Sequence, residues 1–509
     1  MPPAPVRPVQ VDDGRRYNVA PLAAIVVIDI VANLRPVAGL HTGTVGLLSG
    51  IFLCLLSPAL LLRPVLADAV PSPVRLVVAG AAAVLALMVF GLVINVLLPP
   101  LGDPRPLSPV PATLCEDLVT LACGALFVGY GHRRQKRRQQ TVRIVTPGFW
   151  RGHPSLFAWL LCLTSLAVLL SVCGSIRLNN GASDLVALIS MGLVTVLLGL
   201  LIVRGHRLTD AEIALVLWGL SAAILLLTAL RGWFVTGPDA QGEYAAFQAV
   251  ARAAHWHPTS VLSAYNACLS ITIFPQMLHV VSGLSGVFVT KTIIPVAFAT
   301  TPVLVFSVAR SFTSRRVAIA SAAVFMTFPT FVYSMPYAAR QEMGFFYVGV
   351  ALALSRLPPT KTRTALLYAS LGGMLLSHYS TSYLFVGTIA VGYGAHLAMR
   401  IMAAHRHRRP RSVDVRDGGA PSPPPVHTNP FGLRVLASLV IGIAIWNGAI
   451  NGIAGHLTDV VSGAATGSGG QFASKVDDPA LASKGVRVSG SQPLVAYGAL
   501  EEAEASLGP

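Results

Sequence analysis

Apolar stretches alternate with short polar breaks along almost the whole chain. Windows that approach the roughly 20 residues of a helical bilayer crossing recur at 19–34, 44–62, 76–98, 111–131, 155–175, 183–203, 211–230, 288–309, 316–335, 339–357, 364–379, 382–402 and 433–450. The pattern predicts an all-α, polytopic integral membrane protein with about 13 transmembrane helices and further interfacial helices on its outer side. The first six windows make an N-terminal membrane bundle (1–210), and the following ones a membrane core (211–402) with an acidic outer loop at 231–287. The charged, Pro/Gly-rich stretch 403–432 reads as a disordered cytoplasmic linker, 433–450 as the last crossing and 451–509 as a flexible outer tail.

Direction follows from the basic residues. The densest run, Arg133, Arg134, Lys136, Arg137, Arg138 and Arg143, follows the fourth window and marks a cytoplasmic loop. Alternation then places the N-terminus in the cytoplasm, the C-terminus outside and most of the 37 Lys and Arg on the cytoplasmic side. Val261 to Leu284 is apolar enough to cross, yet it holds Asn266, Pro275, Gln276 and His279, and a crossing there would invert every later loop. It is therefore expected to be a re-entrant or interface-lying pair of helices on the outer side.

Composition fits a multi-pass membrane protein, with membrane lipids as its surroundings. Hydrophobic residues make up 54% and charged residues 11%, against about 25% charged in a typical soluble domain, which excludes a soluble enzyme. The net charge of +16 is explained by the cytoplasmic loops, so no nucleic-acid partner is expected. Six cysteines lie in or beside apolar runs with no CxxC pair, as small apolar packers do. The Pro-rich, polar start, MPPAPVRPVQVDDGRRY, is unlike a signal peptide.

Candidate chemistry gathers after the seventh window, in GWFVTGPDAQGEYAAFQAVARAAHWHPTS. Pro238 suits a first helical turn, and Asp239 and Glu243 are four apart, so a helix presents both carboxylates on one face. Tyr244, Phe247, Val250, Ala251 and Ala254 form an apolar stripe, predicting an amphipathic helix on the outer membrane surface. Two roles fit the acids: Asp239 complementing the helix dipole with Glu243 in water, or a carboxylate that takes a proton from an acceptor hydroxyl or helps hold a divalent cation. In YAARQEMGFF, Arg340, Gln341 and Glu342 enter an apolar helix, where ionisable residues usually face a cavity or a partner. LLSHYSTSYLF brings together His378, Tyr379, Ser380, Thr381 and Tyr383, either as a polar hinge or with His378 donating to a phosphate. Lys291 is a second candidate for that phosphate, or a side chain that snorkels to the interface. Asp29, Glu116 and Asp117 lie within N-terminal windows, where structural pairing is the simplest account. His255 and His257, two apart, do not share a helix face and do not make a zinc site.

The order of these features resembles the membrane core of the GT-C glycosyltransferases. PDAQGEY, SITIFPQMLHVVSGLSG, VTKTIIPVAFATTPVLVFSVAR, SFTSRR and FPTFVYSMPYAARQE follow one another as an acidic outer loop, an interfacial stretch, a span opening on a cation, a basic turn and a span ending before an acid. A closer local similarity, over DxxxEY, NxxLSIT, ARQE and SHYSTSY between Asp239 and Tyr383, is to an uncharacterised family of archaeal and bacterial multi-spanning membrane proteins. The resemblance implies sugar transfer from a polyprenyl-phosphate donor to an envelope glycan or lipid acceptor on the outer face. It implies Asp239, then Glu243, as the base, with Glu342 positioning the acceptor or completing a Mg or Mn site. Lys291, Arg340 and His378 would face the phosphate beside Gln341 and Tyr379, and the donor's lipid would run along Ile271 to Leu284. The competing expectations are a lipid or glycan transporter, with Asp29, Glu116, Asp117 and Glu342 lining a path, and a non-catalytic scaffold.

Overall fold

In a bilayer every backbone N–H and C=O must be satisfied within the protein, and the apolar windows satisfy theirs as helices. The computed structural model describes residues 20–34, 39, 43–138, 154–258, 263–407 and 431–453, among which there are helices and turns but no strand. In chain order these are α1 (Ala20–Asn33), α2 (Gly43–Asp68), α3 (Ser72–Leu101), α4 (Pro109–Arg138), α5 (Pro154–Asn179) and α6 (Leu185–Arg207). Then come α7 (Asp210–Ala229), α8 (Pro238–Ala253), α9 (Ile273–Ser282), α10 (Gly286–Arg310), α11 (Arg315–Thr327) and α12 (Thr330–Tyr337). The last four are α13 (Ala339–Ser355), α14 (Lys361–Ser377), α15 (Tyr379–His407) and α16 (Leu433–Ile450).

Among the described residues nine helices are long and apolar enough to cross a membrane, or ten if α11 and α12 form one span bent by 50°. The count falls short of thirteen because helices at three of the windows are short: α1 has 14 residues, and α13 and α14 have 17 each. The bend lies at Phe328 and Pro329, where Phe328 is extended, as a residue before proline prefers. Two helices outrun their windows: α4 continues through the basic run to Arg138, and α15 continues to His407, inside the stretch read as linker. Lys and Arg are good helix formers and sit favourably at a helix C-terminus. The remainder of the linker and the tail from residue 454 lie outside the described residues.

The described helices on the two sides of residue 210 pack together in one compact unit. The reason is α9. In the stretch expected to hold a pair of helices, a one-turn helix at Ser263–Asn266 precedes α9, which has ten residues, too few to cross, and whose residues Ile273 to Leu278 are buried against neighbours rather than spread on a surface. Helix α2 crosses it so closely that a Cβ on Gly50 would stand 2.5 Å from the Ser282 Cα, the tight approach that small residues allow between membrane helices. Gln276 donates to the Leu107 carbonyl (3.0 Å), and Tyr347 of α13 donates through its hydroxyl to the Ala81 carbonyl of α3 (3.1 Å). N-terminal helices thus form part of the wall behind the acidic loop.

Candidate active site

The loop that leads into α8 is held from below. Asn179 donates to the Leu230 carbonyl (2.8 Å) and accepts from the Gly232 N–H (2.7 Å), while Lys291 donates to the carbonyls of Arg231, Gly232 and Phe234 at 3.0, 2.6 and 2.8 Å. An ammonium has three protons, and each of these has a carbonyl partner. Lys291 is therefore a clamp on the loop in this structure and does not present a spare donor to a phosphate. Gly237, with φ of +102°, turns the chain in a region that favours glycine, and Pro238 takes the first helical position.

From there Asp239 and Glu243, one turn apart, both reach Arg340 in the first turn of α13. Arg340 Nε lies 3.0 Å from Glu243 Oε1 and Nη2 lies 3.4 Å from Asp239 Oδ1. The guanidinium sits over the Tyr265 ring (4.4 Å to its centroid) and near that of Tyr379 (5.5 Å), and Nη1 donates to the Tyr379 hydroxyl at 3.4 Å. Tyr265 closes the ring of contacts by donating to Asp239 Oδ1 at 3.0 Å. Its ring lies against the backbone of α8, where a Cβ on Gly242 would come within 2.8 Å.

Burial grades these groups. The Asp239 side chain is 37% exposed, Arg340 10% and Glu243 1%. Burial pushes the Glu243 carboxyl up, Arg340 opposes this, Asp239 adds to it and the N–H groups of Arg340 and Ala339 oppose it again, leaving it at about 7. Asp239 is the partly exposed carboxylate, and Glu243 is the buried one that anchors Arg340. A small cavity of about 10 Å³, room for a single water, is lined by Val235, Thr236, Ala240, Lys291, Tyr337 and Ala339 among others, and by none of Asp239, Glu243 and Arg340.

The other candidates are distributed around this centre. Glu342 is 1% exposed, near enough to Glu243 to repel it, and neither carboxylate oxygen has a hydrogen-bond partner among the described residues. His378 is buried with Nδ1 2.7 Å from Thr381 Oγ1 and its ring against Tyr379. Gln341 is half-buried and has no side-chain hydrogen bond among the described residues. Asp29 and Asp117 assemble elsewhere: their carboxyls face each other between α1 and α4, and Asn33 donates to Asp117 Oδ1 (3.0 Å) and the Asp29 carbonyl (2.9 Å). Glu116, next to them on α4, is fully buried.

Three expectations change with the geometry. The apolar stripe of α8 faces protein rather than lipid, with Phe247, Val250 and Ala254 buried and the Phe247 ring against Gly286. Ile271 to Leu278 are likewise enclosed, so no lipid chain runs along that segment as it stands here. The acids do not form a metal site either: a guanidinium occupies the position between Asp239 and Glu243, and no three His, Cys, Asp or Glu among the described residues are grouped to hold an ion.

The sequence reading missed Tyr265 and the framework that holds it. Asn95 of α3 donates to the Trp256 carbonyl (2.8 Å) and accepts from its N–H (2.7 Å), and the Trp256 indole donates to the Asn266 carbonyl (2.9 Å). Trp446 of α16 stacks on Trp256 at 5.9 Å and donates to the Ala267 carbonyl at 3.1 Å. Compared with family models, curated proteins and solved structures, the chain matches none.

Proposed function

We propose that the protein is a GT-C-type membrane glycosyltransferase, moving a sugar from a polyprenyl-phosphate donor to an envelope glycan or lipid acceptor on the outer face of the plasma membrane. The observation that carries this reading is the convergence of Asp239, Arg340 and Glu243, with Asp239 the exposed member of the three. The basic loops orient that end of the helices outward, and the short helices at the remaining windows complete about 13 passes, with the N-terminus inside and the C-terminus outside.

In this reading the acceptor hydroxyl enters beside Asp239. Its oxygen forms a bond to the anomeric carbon, the carbon–oxygen bond to phosphate breaks, the electron pair leaves on the polyprenyl phosphate and the acceptor proton passes to Asp239. A phosphate ester leaves without prior protonation, so the protein's part is to place the base and balance charge. Arg340 fixes Asp239 and supplies the positive charge of the site, Glu243 holds Arg340, and Lys291 acts by clamping the loop. Glu342, Gln341, His378 and Tyr379 form the wall beneath. No step is routed through a metal, because the donor set does not fit one.

The transporter reading draws on Asp29, Glu116 and Asp117, which gather in the N-terminal helices away from Arg340. One experiment separates the two. Proteoliposomes containing the purified protein and a panel of polyprenyl-phosphate sugars are scored for cleaved lipid phosphate and for intact donor moved between leaflets. Transfer predicts released polyprenyl phosphate in step with glycosylated acceptor. Intact donor crossing the bilayer without cleavage, across the whole panel, would overturn the transferase reading.

A further inference from the structure

Helices α7, α10 and α13 run from the acidic loop to the opposite end of the bundle. Twenty residues of α7 span roughly 30 Å, the thickness of a bilayer core. At that far end three turns meet: 204–210, 310–316 and 356–363. Structural arginines join them. Arg315 donates to the Leu208 carbonyl (2.9 Å) and pairs with Asp210 (2.9 Å), Arg356 donates to Ser311 Oγ (3.3 Å) and Arg363 donates to the carbonyls of Leu354 and Ser355 (3.0 and 3.1 Å). These contacts occupy the one acid of the three turns, the half-buried Asp210, and several of the carbonyls that would otherwise lend the end negative charge.

What remains uncompensated is positive. Arg204, Arg207, Arg316 and Lys361 are exposed, and none has a hydrogen-bond or ion-pair partner among the described residues. The N-termini of α7, α11 and α14, capped by Thr209, Ser314 and Thr360, lie in the same turns and add partial positive charge. The patch borders apolar surface: Phe312 is 63% exposed with Arg356 stacked over its ring at 4.0 Å, and Val203 and Val317 are also exposed. Exposed cations beside exposed apolar side chains match a molecule with a phosphate head and acyl tails.

We infer that this end of the bundle is a binding site for the phosphate headgroup of an anionic phospholipid, held by Arg204, Arg207, Arg316 and Lys361 with its chains beside Phe312 and Val317. The tails distinguish it from a site for soluble phosphate, and the four free cations distinguish it from a surface indifferent to headgroup. The site is independent of the sugar-transfer reading, since it uses none of the residues around Asp239.

The test is lipid retention by the purified full-length protein in native mass spectrometry, from an equimolar mixture of phosphatidylglycerol and phosphatidylcholine. The wild type should retain phosphatidylglycerol at least tenfold over phosphatidylcholine, and excess inorganic phosphate should not displace it. Combined Arg207→Ala, Arg316→Ala and Lys361→Ala should bring the preference to near parity, while Arg207→Lys with Arg316→Lys keeps it. Thermal unfolding in phosphatidylcholine controls for folding, and single substitutions serve if the triple variant unfolds early. Equal retention of the two lipids by the wild type, an unchanged preference in the folded alanine variants, or displacement by inorganic phosphate would each overturn the inference.

Discussion

Arg340 carries the energetic weight of the site because it neutralises a carboxylate that is almost entirely buried. Where Glu243 is ionised, above about pH 7, truncating its partner leaves an uncompensated charge, which costs roughly 3–5 kcal/mol. Arg340→Ala is therefore expected to lower the unfolding midpoint in detergent sharply, and adding Glu243→Gln should recover part of the loss. Full stability in the single variant would contradict the pairing. Glu243 also gives the protein a pH signature. Its carboxyl is raised in the folded state to about 7, from 4.5, so its neutral form is favoured on folding. That contribution is fully present below about pH 4.5 and is lost as pH rises through about 7. The difference in unfolding midpoint between wild type and Glu243→Gln should accordingly change between pH 5 and pH 8, with the wild type losing relative stability at the higher pH. A difference that stays constant across that range would count against a buried, titrating Glu243.

At the scale of elements, the informative helices are the ones that do not span. The i, i+4 spacing of Asp239 and Glu243 could be read from the sequence because helix geometry alone puts both on one face. That Phe247 and Val250 face protein could not, since an apolar stripe has the same period whether it meets lipid or α9. Lys291 shows a second limit: its partners are three backbone carbonyls, and no residue type advertises them. Tyr265 shows a third, for it is a single aromatic residue in an apolar segment and its role depends on Trp256, Asn95 and Trp446 folding around it. Lys291→Met should release the 231–234 loop, visible as faster amide exchange there and at the start of α8. Exchange at the wild-type rate would contradict the clamp. Trp446→Ala removes both the stacking and the hydrogen bond to Ala267, and an aromatic truncation of this kind costs about 3–5 kcal/mol. Its effect should appear as faster exchange at residues 254–258 and 263–268, far along the chain from the substitution.

Taken as a whole molecule, the N-terminal helices are inseparable from the core because α9 is packed among them and Asn95 and Ala81 hold groups that belong to the far half of the chain. Hydropathy marked almost every helix but gave no sign of this, since it reports how apolar a segment is and not which segment it meets. Expression of residues 211–509 alone should yield protein that is poorly folded, and co-expression with 1–210 should restore it. A stable, monodisperse C-terminal fragment would show the two halves to be independent. The central claim is that Asp239 is the base of a sugar transfer, placed by Arg340. The most direct measurement compares polyprenyl-phosphate release by wild type, Asp239→Asn and Glu243→Gln at equal abundance and fold. The account predicts release by the wild type, a loss of about 100-fold or more for Asp239→Asn, and a smaller loss for Glu243→Gln. Release by Asp239→Asn at the wild-type rate would contradict it.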